Sequence, residues 1–199
     1  MYTIKEQIDC ESLSYGEPKK GTDKKLFISI GTEPIFIQFS KLKLVNNLQG
    51  QEFMDLLITP EIVEYIEELE EQLKEQTKKQ KEEWFGNEEI TDGYLDNAFM
   101  SCVKKVKKQS LIKVRMTESC QFYNITREEV NVEEFTKDST ISVIIQLSGI
   151  WFSKTRFGIT LKVNQSKLHG VPKPIKGVYL FEDVEDDGLD LHDFPADVE

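Results

Sequence analysis

The sequence predicts an α+β fold in which antiparallel strands close into a small β-barrel, with one long charged helix and a short second helix between the early and late strands. Three patterns in the 199-residue chain predict it. Residues 139–165 alternate at period two on both sides of a short basic turn. A helical apolar stripe follows Pro60. Further β-branched and aromatic runs bring the strand count to six or seven, with no internal repeat.

The 139–165 stretch organises the rest. Ile141, Val143, Ile145 and Leu147 recur at period two before the turn, and Phe157, Ile159, Leu161 and Val163 after it. Gly158, Thr160, Lys162 and Asn164 fall on the opposite face. One face is therefore apolar and the other small, polar or basic. Gly149 interrupts the first strand just before Ile150, Trp151 and Phe152, where a bulge would bend it. Trp151 and Phe152 are adjacent, so the pleat sends them to opposite faces and only one can be exposed. Phe157 shares its face with Ile159 and Leu161 and is expected in the core.

The remaining elements follow in order. Residues 1–25 read as an irregular lead-in, and 26–181 as one domain with a helical insertion over about 60–100. Leu26–Ile30 and Ile35–Phe39 are strand runs separated by Gly31–Pro34, and Phe53–Ile58 is a short apolar element. Thr59-Pro60-Glu61 is a helix start, with a hydroxyl cap, proline at the first helical position and early acid. Ile62, Tyr65, Ile66, Leu69 and Leu73 supply an apolar stripe that fades after Leu73, suited to packing on the sheet. Trp84-Phe85-Gly86 ends the helix with glycine at a left-handed cap. Glu88–Met100 reads as the second helix, Leu111–Met116 as a strand with Lys113 and Arg115 on one face, and Gln121–Ile125 and Val130–Phe135 as short elements. A stiff basic connection, His169–Pro174, leads to a last apolar run, Gly177–Phe181.

The formal net charge of −11 is unevenly placed. Residues 182–199 hold nine acids and no Lys or Arg, and are expected to be a disordered acidic tail. Residues 139–181 hold six Lys or Arg and no acid, and residues 101–115 hold six more, again without an acid. Two acid-free basic segments near predicted strands can make a positive face on an acidic protein. Three cysteines without C-x-x-C spacing and two histidines suggest neither disulfides nor zinc, and no motif calls for a metal or cofactor. There is no Gly-rich phosphate loop, G-x-S-x-G or H-E-x-x-H, which speaks against an enzyme. The chain lacks a long apolar span and a signal-peptide pattern, so it is expected to act inside a cell, away from membranes.

The Trp84-Phe85-Gly86 motif, the basic strand Leu111–Arg115, and the segments Gln146-Leu147-Ser148-Gly149-Ile150-Trp151-Phe152 and Phe157-Gly158-Ile159-Thr160-Leu161-Lys162-Val163 are together similar to one family. They resemble the small single-stranded-DNA-binding proteins of nucleocytoplasmic large DNA viruses, over roughly residues 26–165. The resemblance implies an OB-like (oligonucleotide-binding) barrel and sequence-nonspecific binding of single-stranded DNA in viral replication, repair or recombination, in the host cytoplasm or viral factory. Leu161 stands where that family leads one to expect a second tryptophan. The tail, with Asp186-Asp187, Asp190, Asp193, Phe194 and Pro195, is similar in composition to those of bacterial and phage single-stranded-DNA-binding proteins, which recruit replication proteins and compete with DNA.

The residues expected to meet phosphates are Lys104, Lys105, Lys107, Lys108, Lys113, Arg115, Lys154, Arg156 and Lys162. Trp151 or Phe152, with Tyr123, are the candidates for stacking on bases. DNA and RNA are not separated by this pattern, and the barrel edge, the long helix and the tail each offer a route to a homo-oligomer. The competing reading is a virion structural or assembly protein that uses the same barrel for protein contacts.

Overall fold

The computed structural model describes residues 8–21, 25–86 and 90–171. Gly177–Phe181 and the acidic tail lie outside the described residues. The elements run β1 (Lys19–Lys20), β2 (Leu26–Ser29), β3 (Ile35–Leu44), β4 (Phe53–Ile58), α1 (Pro60–Phe85), α2 (Asp92–Ala98), β5 (Val103–Val106), β6 (Gln109–Tyr123), β7 (Thr140–Phe152) and β8 (Phe157–Gly170). The protein is mostly sheet, with two α-helices. No described helix is long and apolar enough to cross a membrane.

β7 carries the architecture. One of its edges pairs with β3 through Thr140–Leu147 and with β2 through Gly149–Phe152, while the other pairs with β8 from end to end. The pairing passes on from β3 to β4, from β4 to β6, and from β6 to β8. β8 returns it to β7, so β3, β4, β6, β8 and β7 form a closed circuit, with β5 paired to the start of β6 on the same edge that β8 takes further along.

The wholly antiparallel arrangement expected from sequence needs correcting, because β6 and β8 run parallel. The chain reverses once between β6 and β7 and again at the hairpin, which leaves β8 pointing the way β6 does. The sheet is mixed for that reason.

Period-two alternation places the core inside this circuit. Ile141, Val143, Ile145 and Leu147 of β7, Ile159, Leu161 and Val163 of β8, Met54 and Leu56 of β4, and Ile112 and Val114 of β6 are all buried. Full burial of such side chains stabilises the fold by roughly 1.5–3 kcal/mol each. The expected irregularity at Gly149 is present, since the β7–β8 register skips between Leu147 and Gly149. A Cβ at Gly149 would stand 2.2 Å from the Ile28 carbonyl oxygen and 2.5 Å from the Phe27 ring, so only glycine fits.

α1 starts at Pro60 and stops at Gly86, whose φ of 56° is left-handed and whose N–H donates to the Glu82 carbonyl. Its buried face is longer than the apolar stripe indicates, running from Ile66, Leu69 and Leu73 through Gln76 and Thr77 to Trp84. Thr77 belongs on that face because its hydroxyl donates to the Leu73 carbonyl (2.8 Å). Trp84 lies 5.5 Å from the Tyr15 ring and 6.3 Å from Phe152, tying the helix both to the early chain and to the hairpin. The early chain is therefore more than a lead-in. Ile8 and Cys10 are buried, and the Cys10 N–H donates to Gln72 of α1 (3.1 Å).

α2 is shorter than expected, Asp92–Ala98, with Thr91 as its N-cap accepting from the Tyr94 N–H. The chain then turns extended so that the Met100 N–H can donate to the Phe157 carbonyl (2.7 Å). The two strand runs expected at Leu111–Met116 and Gln121–Ile125 are one strand, β6, with a register shift between Met116 and Gln121. Val130–Phe135 is a loop with a single 3-10 turn, anchored by the fully buried Phe135.

Candidate nucleic-acid interface

The outward residues of the circuit line up across strands. Phe53 of β4 is the cross-strand partner of Arg115 on β6, Arg115 of Lys162 on β8, and Lys162 of Gln146 on β7. Partners opposite one another project on the same face. Four adjacent strands thus present one row about 14 Å wide at ordinary strand spacing. Lys113, two residues before Arg115, holds its ammonium 4.5 Å from the centre of the Phe53 ring. Asp55, the partner of Lys113, is the carboxylate on this part of the face. Neither Arg115 nor Lys162 makes an ion pair among the described residues.

The hairpin settles which aromatic faces out. Phe152 is buried, stacked on Phe157 at 5.1 Å and met edge-on by Phe85 at 4.9 Å. It is a core residue and drops out of the stacking candidates. Trp151 projects outward, half-buried, and covers Gly158: a Cβ there would come 3.3 Å from the indole Cζ2 and Nε1. Its partner on β2 is Phe27, so two aromatic side chains flank the glycines of this bend.

The turn Ser153–Arg156 is braced. The Ser153 N–H donates to the Arg156 carbonyl (2.7 Å), and the Tyr94 hydroxyl donates to the Lys154 carbonyl (2.9 Å). The Arg156 guanidinium reaches Met100 Sδ at 3.6 Å. Both cations of the turn are exposed.

The four lysines of the β5–β6 hairpin do not act as one patch. Lys104 is the partner of Leu111 and so shares the face of Lys113. Lys105 projects the other way, where its ammonium pairs with Glu67 of α1 at 2.8 Å. Lys108 lines a cleft with Glu64 and Glu67, and Lys107 occupies the turn with a left-handed φ of 54°. Phe53 is the residue that sequence reasoning missed. The run Phe53–Ile58 is apolar on both faces, so period two alone does not tell in from out; the neighbouring Asp55 was the available signal.

The thiols are poor nucleophiles. Burial pushes Cys10 and Cys120 up to about 12, and burial, reinforced by the charge of Glu70, pushes Cys102 higher still. Among the described residues no group of three His, Cys, Asp or Glu side chains is gathered to hold a metal.

Residues 42–183 match a family of unknown function, DUF5871, over more than half of the chain. The chain belongs to that family. No curated protein sequence matches it. Among solved structures it is similar to the single-stranded DNA-binding protein from bacteriophage Enc34 in three forms. The C-terminal truncation aligns with a TM-score of 0.48 and 16% identity, over 82% of this chain and 98% of that one. The untruncated protein gives 0.46 and 14%, over 83% and 94%, and its complex with single-stranded DNA 0.43 and 14%, over 83% and 99%.

Proposed function

We propose that this protein binds single-stranded DNA without sequence preference, across the outer face of β4, β6 and β8, and that the five-strand circuit is an OB-type barrel. The carrying observation is the row Phe53–Arg115–Lys162 with Lys113 beside it. An aromatic ring among unpaired cations on a curved sheet offers a base a surface to stack on and its phosphate a counter-charge. Trp151 extends the aromatic part, and Lys154 and Arg156 form a basic rim at the braced turn. Lys104 contributes from the edge, whereas Lys105, held by Glu67, contributes little.

The role we read from the face is binding, since its cations and rings suit phosphates and bases. The sequence resemblance suggests service in viral DNA replication, repair or recombination. The acidic tail, residues 182–199, then competes for the basic face and recruits replication proteins once DNA displaces it.

Titration of the full chain with a fluorescently labelled oligothymidine at two salt concentrations tests the reading. Saturable binding that weakens steeply with salt supports it. No binding at low salt overturns it in favour of a virion structural or assembly role.

A further inference from the structure

A groove of about 460 Å³ opens on the outer face where β3, β7 and β8 meet the end of β6. That volume lies within the range of small-molecule sites. Its basic lining is Lys41, Arg127, Lys167 and His169, with no Asp or Glu. The three Lys and Arg side chains make no ion pair among the described residues. Burial first, then the charges of Lys167 and Lys41, hold the His169 imidazole below its ordinary range, as a positive pocket must.

The backbone is also spent on this site. Lys41 and Arg127 both sit at left-handed φ, 57° and 70°. For residues other than glycine that conformation is sparsely populated, and it collects at functional sites. The Lys41 N–H donates to Ser142 Oγ (3.3 Å), and that hydroxyl lies 2.7 Å from His169 Nε2, so β3, β7 and β8 are laced together at the groove floor.

The remaining lining is suited to a base. Tyr123 stands on β6 as the cross-strand partner of Lys167, and Ile144 on β7 as the partner of Gln165. The Gln165 amide is oriented by donating Nε2–H to Gln121 Oε1 (2.9 Å). Gln165 lines the groove, and its own Oε1 accepts no bond among the described residues. The row that holds Gln165 and Ile144 lies two residues along β7 from Gln146, where the Arg115–Lys162 row ends, or about 7 Å.

We propose that this groove is a nucleotide pocket: Lys41, Lys167 and Arg127 take the phosphate of one nucleoside phosphate, Tyr123 and Ile144 carry its base, and Gln165 reads the base edge. In a bound strand the occupant is a single nucleotide turned out of the run that crosses Arg115 and Lys162. The part concerning the strand rests on the proposed function, but the pocket for a free nucleotide does not. His169, faced by Lys41 from β3, Ser142 from β7, Tyr123 from β6, Arg127 from the loop and Lys167 on its own strand, reports occupancy through its protonation.

The test is an NMR titration of the full chain with thymidine 5′-monophosphate alone, and separately with an oligothymidine. The expected result is a shift of the His169 ring and Gln165 amide signals by the mononucleotide, with the His169 titration midpoint moving up on saturation. Lys167→Gln and Arg127→Gln, both outside the core, should each weaken the mononucleotide roughly tenfold. Lys79→Gln, on α1 and paired with Glu11, should leave it unchanged. If the oligothymidine fails to bind while the mononucleotide shifts His169, the pocket stands and the strand reading falls. If the oligothymidine binds and moves Trp151 while His169 and Gln165 stay unmoved by either ligand, or if Lys167→Gln leaves the affinity for mononucleotide intact, the pocket is overturned.

Discussion

Lys113 rests its ammonium over the ring of Phe53, 4.5 Å from the ring centre, on the outer face of two paired strands. A cation over an exposed ring is worth about 0.5–1 kcal/mol. It puts a positive charge beside a ring on the proposed binding face. Phe53 is half-buried and does not belong to the packed core. Phe53→Ala should therefore weaken oligothymidine binding by about 1–3 kcal/mol, roughly five- to 150-fold. The midpoint of urea unfolding should hardly move. Equal affinity for the variant and the parent in an anisotropy titration would remove Phe53 from the interface.

Salt dependence separates the lysines by position. Lys113, Arg115 and Lys162 face outward together, whereas Lys105 already pairs with Glu67 at 2.8 Å. Each phosphate contact contributes about 0.7 to the slope of log K against log salt for a single strand. Replacing Arg115 or Lys162 by Gln should flatten the slope by about that amount, and Lys105→Gln should leave it unchanged. A flattening with Lys105→Gln as large as with Arg115→Gln would mean that the strand runs along the α1 side instead.

Adjacent residues of the hairpin should behave in opposite ways. Phe152 lies within a cluster of Trp84, Phe85 and Phe157, so Phe152→Ala opens a cavity and should cost about 3–5 kcal/mol of stability. Trp151 covers Gly158 from outside, and Trp151→Ala should cost less stability while weakening oligothymidine by about 1–3 kcal/mol. Unfolding curves and titrations of both variants, read together, check the assignment. A Phe152→Ala variant of unchanged stability would contradict the inward placement.

What was legible in the chain follows from how local each signal is. The inward faces of β7 and β8, the bulge at Gly149 and the Gly86 cap are written in spacings of two to four residues, and all stand in the structure. The parallel β6–β8 pairing was not legible, because it joins residues 44 to 47 apart and no periodicity encodes a partner. β5 escaped notice since Val103–Val106 has two lysines between two valines and no alternation. The Lys41–Arg127–His169 groove is drawn from β3, a loop and β8, and only the circuit of strands brings those segments together.

The acidic residues 182–199 carry a prediction of their own. Nine acids in residues 182–199 leave the rest of the chain nearly neutral, and the described outer face carries unpaired Arg115 and Lys162. A tethered polyanion competes with a strand for such cations at low salt, where screening is weakest. Deleting residues 182–199 should strengthen oligothymidine binding at low salt and make little difference at high salt. Equal affinities at low salt would sink the competition while leaving the interface itself intact.

The last prediction concerns a buried carboxylate. Glu70 is 4% exposed, and its Oε1 accepts the Cys102 N–H at 2.6 Å. That bond fastens α1 to the chain that leads from Phe99 and Met100, beside Phe157, into β5. Removing the acceptor leaves an amide donor without a partner in a partly buried site, at a cost of about 1–3 kcal/mol. Glu70→Ala should lose that much in urea unfolding. Glu70→Gln keeps an acceptor oxygen of the same reach and should lose clearly less. If the two variants unfold at the same urea concentration, the bond to Cys102 is not what Glu70 contributes.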